Sequence, residues 1–309
     1  MTKYKKIVFA GGTGQIGTAL INHFKGNTDK IIILSRGAEK QVGNLQYLNW
    51  DGKNVGVWAK EIEDADILFN LAGKNVNCRY IEKNKKEIFD SRTDSIKVLA
   101  KAISNCKQIP KLWMQSASAT IYRHSEDKPM SETDLEIGEG FSVEVCKKWE
   151  KTFWEETEQF KDMRKVILRT SLVLGKKEGV FPRLKNLTLL GLGGKQGNGK
   201  QWVSWIHEHD VVGLSEWIAD HKEVNGIINC TAPVPVKNTA FMKAFQSAYK
   251  MPIGLPSPKW LLELGAFVIG TETELILKSR WVLPTKLLNS GFKFQYPEID
   301  AAVNQIVNE

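Results

Sequence analysis

The apolar run Ile7-Val8-Phe9-Ala10 leads directly into Gly11-Gly12-Thr13-Gly14-Gln15-Ile16-Gly17, a succession that few folds accommodate. Gly12 to Gly17 fit the spacing GxGxxG, and Gly11, Gly14 and Gly17 also fit GxxGxxG. Glycines at these positions let the backbone turn sharply and approach a phosphate with no Cβ in the way. The segment 15–24 reads as a helix, and its first N–H groups and positive dipole end would face an anion. A second apolar run, Ile31-Ile32-Ile33-Leu34, follows at the distance a strand–helix–strand unit requires. This context predicts a dinucleotide site at the turn, with an ordinary glycine turn as the alternative.

The end of the second strand selects the cofactor. An NAD site places Asp or Glu there to accept from the ribose 2′-hydroxyl, whereas this chain has Ser35-Arg36, a hydroxyl and a guanidinium suited to a 2′-phosphate. The expected cofactor is therefore NADP. The competing reading is that Arg36 is one solvated cation among 43 Lys and Arg.

At 309 residues the chain is long enough for one large doubly wound domain and an appended lobe, and its 42% hydrophobic content supplies a full core. The net charge of +8 suits phosphate-bearing ligands, but the cations are scattered and no stacking-plus-basic motif marks a nucleic-acid binder. Cys78, Cys106, Cys146 and Cys230 lie far apart, with neither a CxxC pair nor zinc-like spacing, which predicts reduced thiols. The N-terminus lacks the long apolar region of a signal peptide. The apolar stretch 260–270 is too short for a bilayer and contains Glu263. A cytoplasmic protein without a membrane partner is the expectation.

Apolar runs alternate with helical patterns through the first half, predicting a parallel sheet covered on both faces. Further strands are expected at 45–50, 65–70, 111–115 and 166–169, with helices over 83–106 and 143–160. Beyond Gly175 a glycine-rich loop, 191–200, precedes an expected short strand at 202–207, a helix capped by Asp210, and a strand at 226–230. We expect a Rossmann-type domain over 1–175, with parts of 200–235 returning to it, and a smaller substrate lobe over 176–309.

Together with the glycine turn, Asn70-Leu71-Ala72-Gly73 and Ser116-Ala117-Ser118-Ala119-Thr120-Ile121-Tyr122 resemble extended short-chain dehydrogenase/reductases. Arg169-Thr170-Ser171-Leu172-Val173-Leu174-Gly175, Gly193-Gly194-x-x-Gly197-x-Gly199-x-Gln201-Trp202, Ser204-Trp205-Ile206-His207 and Trp281-Val282-Leu283-Pro284 resemble an atypical branch. That branch is NAD-dependent epimerase/dehydratase-like and carries a C-terminal domain of unknown function. The resemblance implies that Asp51 sits by the adenine, that Leu71, Ala72 and Gly73 line the cofactor, and that Ser116 and Ser118 approach its nicotinamide end. Asp51-Gly52 and the 70–73 segment are equally ordinary turn sequences.

Typical members use a Tyr-x-x-x-Lys pair, in which lysine lowers the tyrosine pKa for proton exchange. Here Cys146 and Glu150 stand at those positions, and a carboxylate beside a thiol disfavours a thiolate nucleophile. The remaining catalytic candidates are Ser118, as a donor to a substrate carbonyl, and Tyr122 and His207 as proton donors. His207, His209 and Asp210 lack a third cluster, so no metal site is expected. The glycine-rich loop, with Lys195, Lys200 and Gln201, fits either a cradle for substrate or a surface connection. Arg79, Lys86, Arg92, Arg183 and Arg280 offer cationic contacts, with solvent exposure the default. Trp202 and Trp205 fit either ligand stacking or a buried interface.

Two functions stand side by side. One is an NADP(H)-dependent oxidoreductase or epimerase-like enzyme, acting by hydride transfer on a small substrate, of which a nucleotide-linked sugar is one type the family allows. The other is a non-catalytic NADPH-binding sensor or scaffold, favoured by the missing tyrosine and lysine. The family also allows a homodimer.

Overall fold

The computed structural model describes residues 2–258, 260, 262–263 and 277–309, so most of the apolar stretch 260–270 lies outside the described residues. The first half runs β1 (Tyr4–Ala10), α1 (Gln15–Phe24), β2 (Thr28–Ser35), β3 (Lys40–Val42), β4 (Leu45–Asn49), β5 (Ile67–Asn70), α2 (Glu82–Ile103) and β6 (Leu112–Ser118). Then come α3 (Phe141–Thr157), β7 (Arg164–Thr170), β8 (Leu172–Leu174), α4 (Phe181–Leu189), β9 (Trp202–Val203), β10 (Trp205–His207) and α5 (Glu208–Asp220). The remainder holds β11 (Gly226–Cys230), β12 (Val236–Lys237), α6 (Asn238–Ala248), α7 (Thr285–Asn289) and α8 (Ile299–Asn308).

The main sheet has the order β11-β7-β6-β5-β1-β2-β4-β3, parallel except for the β3–β4 pair. Side chains of a strand point alternately to opposite faces, so a strand buried on both sides must be apolar at consecutive positions. That is how the sequence is used. Ile7, Phe9, Ile31, Ile33, Ile67 and Phe69 enter one core with α1 and α5, while Val8, Ala10, Ile32, Leu34 and Leu68 enter the opposite core with α2 and α3. Phe9 and Phe69 stack at 4.8 Å across neighbouring strands in the first core.

β1 sits centrally between β2 and β5, so successive connections leave it in opposite directions. The carboxyl ends of these strands therefore open a crevice at the topological switch point, where ligands bind in such sheets.

The expected strands are present, with differences at their edges. β3 was not foreseen because Lys40, Gln41 and Val42 are all exposed and leave no burial pattern. The strand expected at 202–207 is two strands. Ser204 separates them: its hydroxyl donates to the Arg280 carbonyl and accepts from the Val282 amide. β9 then pairs with β12, and β10 with β8. β11 pairs with β7 in the main sheet. A third core, including Phe181, Trp205, Phe241, Phe245, Val303 and Ile306, joins α4, α6 and α8. No described helix is long and apolar enough to cross a membrane.

Candidate functional site

At the switch point lies a cleft of about 770 Å³ whose walls include Gly11, Thr13 and Gly14 from the β1–α1 turn, Ser35 and Arg36 after β2, Asp51, and Leu71, Ala72 and Gly73 after β5. Four separate loops thus bring together most of the residues expected to hold a dinucleotide. Gly11 takes φ +75°, and a Cβ there would lie 2.8 Å from the Ala72 Cα. Gly14 is the N-cap of α1 with no side chain to cap it, and a Cβ there would meet nothing within 4 Å. The first-turn N–H groups of α1 are accordingly left for an anion from the cleft. A dinucleotide fits this donor set and volume.

Gln15, Ile16, Gly17 and Ser116 are not in the cleft wall. A Cβ at Gly17 would fall 2.3 Å from the Gly12 carbonyl oxygen, so this glycine lets the helix sit on the turn. Ile16 packs against the first core. The Gln15 side chain donates to Glu208 Oε2 at 3.3 Å, leaving its backbone as the part available to the cleft. Ser116 is half-buried on β6, and its carbonyl accepts from Gln115.

Charge in the cleft is unevenly committed. Asp51 accepts from the Lys53 and Asn54 amides at 2.8 and 2.9 Å, and these bonds, with one from the Asn54 side chain, hold its carboxyl below the usual range. Glu87 is paired with Lys74, and Asp90 with Lys86. Arg36 is exposed, and among the described residues its guanidinium makes neither a hydrogen bond nor an ion pair. Ser35, beside it, is buried at the end of β2. The 71–73 loop is fixed from beneath by Asn70, which accepts from the Ala72 amide and donates to Ser95 and Gln115.

A smaller cavity of about 100 Å³ lies between α2, α3 and the end of β6, lined by residues that include Ser118, Thr120, Tyr80, Arg92, Ser142 and Cys146. Ser118 Oγ accepts from the Thr120 amide at 3.2 Å and donates to Thr120 Oγ1 at 3.1 Å. The Tyr80 hydroxyl is 3.3 Å from Ser142 Oγ. Burial pushes the Cys146 thiol up to about 12, with Glu150 adding to the effect, so it stays protonated. Tyr80 and Ser142 carried no sequence signal, being ordinary residue types in a loop and at a helix start, and Thr120 stood inside the 116–122 motif without an assigned role. The default exposure of Arg92 is also corrected: it is 9% exposed, because Gly73, Ile88 and Trp149 enclose it.

Two of the expected proton donors are placed elsewhere. Tyr122 is fully buried and lines neither cavity; its hydroxyl accepts from Arg169 Nη1 at 2.9 Å and lies 2.9 Å from both the Ser131 carbonyl and Asn229 Oδ1. Glu150, which stands where lysine is usual, takes two 2.8 Å bonds from Arg169 Nε and Nη2. The Tyr122 phenol is raised by burial, against the lowering influence of Arg169 and Asn229. His207 is fully buried, N-caps α5 by accepting from the His209 amide, and contacts Gln305 at 2.9 Å. Burial pulls it down to about 4, so it is neutral at physiological pH. His207 also displaces Asp210 from the expected capping role. Asp210 instead accepts from the Gln295 and Tyr296 amides.

The glycine-rich loop spends its donors internally. The amides of Gly194, Gln196 and Gly197 bond to Leu255, Asn238 and Ser257, so they are not free to cradle a ligand. Trp202 stacks on Trp281 at 4.1 Å, and Trp205 is fully buried. Both indoles are therefore engaged in packing.

A model of the NAD dependent epimerase/dehydratase family matches residues 7–231, and a model of a domain of unknown function, DUF1731, matches residues 257–306. The chain belongs to the NAD dependent epimerase/dehydratase family. Epimerase family protein YfhF of Bacillus subtilis (strain 168) is 31% identical over 304 residues, covering 97% of each chain. The crystal structure of human epimerase family protein SDR39U1 (isoform 2) with NADPH superposes with a TM-score of 0.86 at 27% identity, covering 98% of this chain and 99% of that one. A nucleoside-diphosphate sugar epimerase from Corynebacterium glutamicum superposes at 0.77 and 26% identity, covering 99% of this epimerase-family chain and 59% of its own. The Rossmann-like fold and the identity as an NAD(P)-type epimerase-family protein follow.

Proposed function

We propose that this epimerase-family protein is an NADP(H)-dependent oxidoreductase or epimerase-like enzyme acting on a small carbonyl or hydroxyl substrate. The observation that carries the cofactor choice is Arg36: a guanidinium without a partner among the described residues, at the rim of the cleft, where β2 ends without a carboxylate. NADPH in the human relative supports the same choice. In this reading the amides of the first turn of α1 hold the diphosphate, and Arg36 with Ser35 holds the 2′-phosphate.

When bound, the nicotinamide supplies or accepts hydride. Ser118 orients the reacting oxygen, since it lines the smaller cavity beside the cleft. The hydroxyl pair Tyr80–Ser142, on the same wall, is the proton route we assign in place of Tyr122 and His207, whose polar atoms are occupied in the interior.

A sensor without turnover is the second reading, favoured by the locked Glu150 and the protonated Cys146. Mixing the protein with NADPH and a panel of small aldehydes, ketones and oxo acids separates the two. Loss of reduced-nicotinamide absorbance supports the enzyme; tight binding with no loss across the panel supports the sensor. Arg36→Asp is expected to weaken NADPH by about tenfold while leaving NADH little changed, and equal loss for both would remove the assigned phosphate contact.

A further inference from the structure

Two guanidiniums are buried in the core near Cys146, and the chain treats them differently. Arg169 has its own carboxylate, Glu150, held by two bonds of 2.8 Å. Arg92 has none. Its two hydrogen bonds both leave from Nη1, to the carbonyls of Lys74 and Ile88 at 3.1 and 3.0 Å, and its Nε has no partner. Its face covers the Trp149 ring at 4.7 Å. Burial pulls its pKa below the ordinary value, yet a guanidinium stays charged in a protein. A buried charge without a counter-ion is strongly disfavoured unless something else supplies the opposite charge.

Arg92 lines the small cavity together with Ser118 and Thr120, and it backs directly onto the large cleft: a Cβ at Gly73 would lie 3.2 Å from its Cζ. We propose that Arg92 binds a carboxylate carried by the substrate, so that the enzyme acts on a small oxo or hydroxy acid. The inference rests on the cofactor cleft and Ser118 reading above. The cavity of about 100 Å³ has room for a carboxylate with its neighbouring carbon. Nη2 is the nitrogen left to donate to a carboxylate oxygen, since Nη1 already bonds two carbonyls and Nε is buried, and the hydroxyl of Ser118 is then on hand for the adjacent carbonyl oxygen.

The test uses the full chain, first titrated with NADPH and then, loaded, with oxalate, with its neutral isostere oxamide, and with inorganic phosphate, followed by calorimetry. Saturable oxalate binding that oxamide does not reproduce is expected. Arg92→Lys is expected to weaken oxalate by about tenfold or more while NADPH affinity stays at the wild-type level. Because Arg92 also ties Lys74 to Ile88, a second variant leaves it in place: Thr120→Asp puts a carboxylate into the same cavity and is expected to abolish oxalate binding. No oxalate binding to the loaded wild type, equal binding of oxamide, or phosphate binding in preference to oxalate would overturn the proposal. So would a parallel loss of NADPH affinity in Arg92→Lys, which would assign the guanidinium to the cofactor. Failure of NADPH itself to bind shows in the first titration and counts against the cofactor reading; the oxalate titrations are then run on the free protein with the same outcomes.

Discussion

Removing the Glu150 carboxylate tests whether the position usually held by lysine has become structural. Glu150 and Arg169 have side chains only 8% and 6% exposed, and Arg169 carries the charge on to Tyr122. Glu150→Ala leaves that guanidinium buried with, among the described residues, only the phenol oxygen of Tyr122 to accept from it. Breaking one partner of a buried pair costs about 3–5 kcal/mol, a large part of a typical stability of about 5–15 kcal/mol. At roughly 2 °C per kcal/mol for a chain of this size, the melting temperature should fall by about 6–10 °C. Thermal denaturation followed by circular dichroism measures it. The double variant Glu150→Leu with Arg169→Met should lose much less than the sum of the single changes, because both charges leave together. The same geometry predicts that Cys146→Tyr with Glu150→Lys, which rewrites the usual catalytic pair, destabilises the protein without creating activity, since the new ammonium would face Arg169. A Glu150→Ala melting temperature within about 1 °C of wild type would refute the structural assignment.

Two further changes probe the scaffold. Gly17→Ala places a Cβ 2.3 Å from the Gly12 oxygen, a backbone contact that cannot rotate away; it should cost about 2 kcal/mol or more and weaken NADPH binding, both readable in one ligand-shifted melting experiment. His207 is held neutral, at about 4 against an ordinary 6.5. The unfolded chain therefore binds the extra proton first as pH falls from 6.5 towards 4, and stability present above 6.5 is lost across that window, by roughly 3 kcal/mol in total. His207→Asn should flatten the slope of stability against pH there, and an unchanged slope would contradict the assignment.

The βαβ start was legible because it is local: an apolar strand, a turn that only glycines permit, and a helix whose first N–H groups are unused. The sheet was legible for a related reason, since burial on both faces writes consecutive apolar residues such as Ile31 to Leu34. Tyr122 and His207 were misplaced because sequence records a titratable group without recording what it packs against. Each meets its partner, Asn229 or Gln305, about a hundred positions away in the chain. Arg92 was misjudged for the converse reason. Cationic residues are exposed by default, and only the fold brings Gly73 and Trp149 over it. Asp210 had the residue type of a cap, but the N-cap of α5 is His207, three residues earlier.

A crystal structure of the protein with NADPH tests the central claim most directly. The account predicts the diphosphate against the amides that follow Gly14 and the 2′-phosphate within hydrogen-bond distance of the Arg36 guanidinium. A 2′-phosphate turned into solvent, or a diphosphate seated away from the start of α1, would contradict it.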